Sequence, residues 1–83
     1  MTVADQCRKM GLKVGDTIEG RQEGAGWMGK EWWNVTRLTL LFLGETEAVW
    51  RMTDRNQLRD WSTPREITNW TLSCRKWRKI EEE

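Results

Sequence analysis

Residues 36–43 read Thr36-Arg37-Leu38-Thr39-Leu40-Leu41-Phe42-Leu43, and after Gly44-Glu45-Thr46-Glu47 the chain resumes as Ala48-Val49-Trp50-Arg51-Met52-Thr53. Two apolar-rich runs around a short glycine-containing break are the pattern of a β-hairpin. The two-residue period puts Leu38, Leu40 and Phe42 on one face of the first strand, with Leu41 and Leu43 on the other. In the second strand Ala48, Trp50 and Met52 alternate with Val49, Arg51 and Thr53. Gly44 supplies a permissive backbone for the connection. The first strand ends apolar on both faces, which makes it the expected central strand of a sheet covered on each side.

The rest of the chain is read as that covering. Thr2 caps a short helix, with Asp5 in its first turn and Val3, Cys7 and Met10 on one face. Gly11 stands where a left-handed C-cap belongs, followed by the apolar Leu12. Lys13 to Asp16 reads as a turn and Thr17 to Glu23 as a strand, with Gly20 as a bulge or close approach. Residues 24–34 read as a glycine-rich loop carrying Trp27, Trp32 and Trp33. The polar segment from Asp54 to Arg65 holds the only proline, Pro64, and reads as a loop with room for a helical turn. Glu66 to Leu72 and Cys74 to Ile80 form two further strands or one bent strand, and residues 81–83 are a solvated acidic tail. The expectation is an α+β fold: one domain over residues 1–80, with a short N-terminal helix packed on a four- to five-stranded antiparallel sheet or small barrel.

Composition narrows what such a domain can do. With 83 residues and a net charge of +1, a general polyanion coat is disfavoured, and nucleic acid ranks below smaller partners. The start lacks a basic segment and an apolar segment, so no signal peptide is expected. The longest apolar run, Leu40 to Leu43, is far short of the roughly 20 residues a membrane helix needs. Cys7 and Cys74 lie outside any Cys-x-x-Cys spacing and fit reduced, buried thiols.

Catalytic and metal chemistry find little footing. Histidine is absent, the acids are scattered, and neither cysteine has a base beside it. No zinc or calcium spacing occurs, so no cofactor is expected. Gly24-Ala25-Gly26-Trp27-Met28-Gly29 matches G-x-G-x-x-G, but a dinucleotide site needs a helix opening at the third glycine. Here Lys30 to Asn34 runs directly into a strand pattern.

What stands out is tryptophan with arginine. There are seven Trp, one Phe and no Tyr, and nine of the fourteen cationic residues are Arg. Stacking planes beside bidentate anion donors suit bases and phosphates, and they also dominate protein–protein hot spots. The run Arg75-Lys76-Trp77-Arg78-Lys79 gathers four cations around one aromatic, although a core Trp77 with edge-solvating cations accounts for it equally well.

Leu12 to Ile18, the Trp32-Trp33-Asn34 step, the hairpin from Arg37 to Arg51 and the ending from Asn69 to Lys79 together resemble a family of small, uncharacterised tailed-phage proteins. A further likeness, through Ala25 to Lys30 and Asn69-Trp70-Thr71-Leu72, is to phage sponge proteins that sequester cyclic ADP-ribose-type signals of Thoeris immunity. Asn69 stands where that pattern has aspartate and the Trp61-to-Trp70 spacing departs from it, so no binding residue carries over. The resemblance implies a phage accessory protein active against host defence in the host cytoplasm.

The combined expectation is a non-enzymatic binder of a small nucleotide, with a host defence protein as the alternative partner and a homo-oligomer as the working form. Trp27, Trp32 and Trp33 would stack on bases, and Arg51, Arg75, Lys76 and Arg78 would pair with phosphate.

Overall fold

A computed structural model describes residues 2–70, 72 and 76–80, with the backbone alone at Trp27. Cys74 and Arg75 lie outside the described residues. The described elements are helix α1 (Val3–Lys9) and strands β1 (Thr17–Ala25), β2 (Glu31–Leu43), β3 (Ala48–Asn56), β4 (Arg65–Thr68) and β5 (Trp77–Ile80). The strands form an open, wholly antiparallel sheet in the order β4-β3-β2-β1-β5, with β2 at its centre. This is the expected α+β arrangement in its open-sheet form.

The helix follows from its ends. Thr2 Oγ1 accepts from the Asp5 backbone N–H while an Asp5 carboxylate oxygen accepts from the Thr2 N–H, each at 3.1 Å, a reciprocal capping box. At the other end Gly11 has φ +72°; its N–H bonds to the Arg8 carbonyl and the Leu12 N–H to the Cys7 carbonyl, a Schellman closure. The buried stripe differs from the expected one. Ala4 and Cys7 are buried, while Met10 sits exposed at the cap. Arg8 then donates to the carbonyls of Gly44 and Glu45, clamping the helix onto the β2–β3 connection.

The core lies on one sheet face. Ile18, Leu38 and Met52 form one cross-strand row and Leu40, Trp50 and Ile67 the next, with Cys7, Leu12 and Leu72 packed over them. Ala48, Trp50 and Met52 are buried, as their alternation implies. The first strand behaves differently: a bulge between Leu40 and Phe42 inverts its alternation. Leu43 therefore packs against the core with Ala48, whereas Phe42 is 53% exposed opposite Val49 on the other face. The bulge removes the need for cover on both sides. The Phe42 ring then lies against Gly44, where a Cβ would stand 2.9 Å from it. No bulge occurs at Gly20, whose pairing runs on without a register shift.

The strands are longer than the sequence pattern suggests. β1 extends to Ala25 and β2 starts at Glu31, so residues 24–34 are mostly paired strand around a tight 3₁₀ turn at Trp27–Gly29. β3 runs on to Asn56, and the following turn is held by Asn56 Oδ1, which accepts from the Leu58 and Arg59 N–H groups. The last two strands are separate and lie on opposite edges. Crossing from β4 to β5 covers roughly 19 Å of sheet. Between them Leu72 enters the core and accepts, through its carbonyl, the Trp77 indole N–H. No helix among the described residues is long and apolar enough to cross a membrane.

Only the near half of the sheet carries this core. The rows beyond it on the same face are Gly20–Thr36–Asp54, Gln22–Asn34–Asn56 and Gly24–Trp32, which are polar or glycine-backed. The molecule measures 45 × 27 × 22 Å, its long axis close to the roughly 43 Å that β2 alone spans.

Two measurements test these supports. Trp50 is fully buried, so Trp50→Ala is expected to cost about 3–5 kcal/mol, most of the stability of a domain this small, read as loss of the urea transition. Asp5 is held below the usual carboxylate range chiefly by the Thr2 backbone N–H, and Asp16 by the Lys13 backbone N–H and then by Lys79. Both are lower folded than unfolded, so their stabilisation is complete above the unfolded value near about 4 and is lost as pH falls through the folded values. The melting temperature should hold from neutral pH to about pH 5 and drop below about pH 4, less steeply in Asp16→Asn.

Candidate functional site

The sheet face opposite the helix carries the chemistry. Strand alternation places Glu19, Arg21 and Glu23 of β1, Trp33, Val35 and Arg37 of β2, and Arg51 and Arg55 of β3 on this face. Arg78 joins them from β5, opposite Glu19. Such a face is polar because no described element packs across it.

Trp33 is its focus. Val35 pairs with Arg21 on one side and Arg55 on the other, and both arginines lean back toward Trp33. Their guanidinium carbons lie 5.4 Å and 5.8 Å from the indole centroid. Both fall within the roughly 6 Å of a ring centroid at which a cation is attracted to an aromatic face. Four residues along β2, Arg37 lies 4.3 Å from the Trp61 ring, close to a flush stack. Trp33 and Trp61 are both partly buried, Trp33 with a guanidinium on each flank and Trp61 with one.

The surroundings hold Trp33 in place. Its backbone N–H donates to Gln57 Oε1 at 3.1 Å, tying the strand to the turn after β3. That turn is fastened to β3 by Ser62 N–H to the Asp54 carbonyl (2.8 Å) and by Asp54 N–H to Ser62 Oγ (3.0 Å). Two shallow depressions of about 350 and 340 Å³ adjoin Trp33, and a third of about 410 Å³ lies at the β5 edge. Acids are interleaved with the cations. Glu19 takes Arg37 at 3.0 Å and Arg78 at 3.3 Å, Glu23 takes Arg21 at 3.0 Å, and Asp60 lies 3.7 Å from Arg55.

Trp32 and Trp33 are adjacent in an extended strand and so face opposite ways. The Trp32 ring lies on the backbone of Gly24, where an added Cβ would stand 3.0 Å from the indole, and its edge approaches Gly26. Two glycines of the G-x-G-x-x-G run thus make room for a tryptophan, and the third, Gly29, takes φ +73° in the hairpin turn. Met28 beside it is left-handed as well, at φ 60°, and exposed.

The residues expected to form one site are therefore dispersed. Trp33 is on the open face and Trp32 on the other; Trp27 lies in the hairpin turn. Arg51 shares the open face but pairs with Thr39, roughly 20 Å along the sheet from Trp33. Lys76 and Arg78 line a depression with Arg21 at the β5 edge. Arg21, Arg37, Arg55 and Trp61 were missed: Arg21 and Arg37 lie within strands read from the sequence whose mutual pairing was not assigned, and strand periodicity was not extended past Thr53 to Arg55. Continuing it through those residues puts Arg21 and Arg55 on the face of Arg37. Among the described residues no group of His, Cys, Asp or Glu gathers in a way that could hold a metal ion. Burial raises the Cys7 thiol above its ordinary value, and it lies in the core, away from this face.

The fold and face define a small α+β domain with an open tryptophan–arginine sheet surface. The chain belongs to the family described as Domain of unknown function (DUF7241), whose model matches residues 1–82. No curated protein and no solved structure gives a significant match.

Gly24→Ala tests the packing around Trp32. Because that ring is partly exposed, it should swing outward, costing less than about 1 kcal/mol while shifting the Trp32 indole N–H resonance. An unmoved resonance would mean that the ring does not rest on Gly24.

Proposed function

We propose that this protein is a non-enzymatic, phage-encoded binding module that acts in the host cytoplasm against defence by sequestering a small nucleotide signal. One observation carries the reading: a partly exposed indole, Trp33, on the open sheet face with a guanidinium on each flank. A base stacks on such a ring and the arginines pair with phosphate, the combination by which single nucleotides and strands are held without sequence readout. Balanced charge fits a small ligand better than a long polyanion, since interleaved carboxylates weaken attraction at distance. The depressions are shallow, and tight sequestration calls for deeper burial than they offer. A symmetric oligomer that closes a second face over Trp33 would provide it.

A second reading is a protein inhibitor that covers a host effector. It is favoured by the breadth of the face and by Leu58, which is 85% exposed in the turn next to Trp33.

Native mass spectrometry before and after incubation with a nucleotide extract from immune-triggered cells separates the two. A discrete added mass per site is expected. Trp33→Ala should keep the fold and weaken binding roughly 5- to 150-fold, the share of one base stack. Unchanged binding in that variant would remove this face as the site. Capture of a host protein with no small molecule would favour the inhibitor.

A further inference from the structure

We infer that the ligand is a phosphodiester-linked oligonucleotide, with an internal base on Trp33 and phosphates held on opposite sides of it by Arg21 and Arg55. This rests on the nucleotide reading above and specifies its chemistry.

The three depressions are not independent. Arg21 lines both the one beside Trp33 and the one at the β5 edge, and Trp33 lines both the former and the one beside the turn after β3. They form one path across the strands, entered at Lys76 and Arg78, passing Arg21 and the ring, and leaving by Arg55 and Arg59. From β5 to β3 this path is roughly 14 Å wide before side chains are added. A mononucleotide has phosphate on one side of its base and would leave the cations of the other side idle. An internal nucleotide has phosphate on both sides, which matches the pair of arginines.

The carboxylates set the terms of entry. Arg21 is held by Glu23, and both side chains are more than half exposed; Arg55 faces Asp60, which is 86% exposed. Exposed pairs of this kind contribute little, whereas arginine with phosphate is bidentate and charge-assisted. Phosphate therefore exchanges for Glu23 and Asp60. Glu19 differs, being 16% exposed and shared by Arg37 and Arg78, so it stays as a fixed counter-charge near the β5 entrance. Glu31 also lines the central depression.

Calorimetry with the four nucleoside monophosphates and their homotrinucleotides, at two salt concentrations, tests this. The preferred trinucleotide should bind at least about 10-fold tighter than its monophosphate, with a salt slope steeper by about 0.7 for each added phosphate contact. Arg21→Ala and Arg55→Ala should each erase most of that gain. Glu23→Gln and Asp60→Asn should strengthen trinucleotide binding, a direction that a merely structural role would not produce. A thirty-nucleotide strand no tighter per site than the trinucleotide would mark a diffusible oligonucleotide, and a much tighter one a polymeric strand; either upholds the linked ligand. Trinucleotides no tighter than monophosphates would overturn it. The nucleotide reading falls separately, if neither these compounds nor the cell extract leaves a mass on the protein.

Discussion

The structure depends on one buried ring. Trp50 sits between Leu40 and Ile67 in the cross-strand row, under the helix and Leu72, and it is wholly shielded from water. In a chain poor in aliphatic mass, a single indole supplies volume that two or three smaller side chains would otherwise provide. Its N–H has no acceptor among the described residues, a desolvation cost that the packing outweighs. The helix, its Schellman closure and the clamp from Arg8 all serve to seat α1 and Leu12 over that ring. Where the ring's influence ends, the core ends, and the remaining sheet stands on its hydrogen-bond ladder.

Local rules were most legible where one residue decides the outcome. Thr2 with Asp5 and Gly11 with Leu12 bracket the helix by backbone chemistry that needs no tertiary knowledge. The alternation of Ala48, Trp50 and Met52 gave the buried face of β3 directly. Phe42 was misread for a reason alternation cannot contain: a single inserted residue reverses every side chain after it. The 24–34 segment departs from the loop its glycines suggest, since most of it is paired strand. Gly24 and Gly26 instead lie in or beside paired strand, serving the ring of Trp32 rather than the backbone's freedom.

The membership of the candidate site was not legible in the sequence. The sequence is unusually heavy in tryptophan and arginine, and the structure gathers Trp33 with Arg21, Arg37 and Arg55 on one sheet face. Arg21, Arg37, Arg55 and Trp61 belong to it because pairing register carries them there across three strands and a turn. Register is a long-range property, and no single stretch of sequence displays it. Arg51 illustrates the converse, sharing residue type and face with the cluster yet lying at the sheet's other end.

The overhang of β1, β2 and β3 beyond the helix has a consequence for how this surface can change. Substitutions at Arg21, Trp33 or Arg55 fall rows away from Trp50 and share no described partner with it, so their energetic effects should add to those in the core rather than couple with them. Selection can then rework the outer end of the sheet one residue at a time, with each trial leaving the foundation intact. The molecule is organised as a handle and a blade, and the blade can be reground.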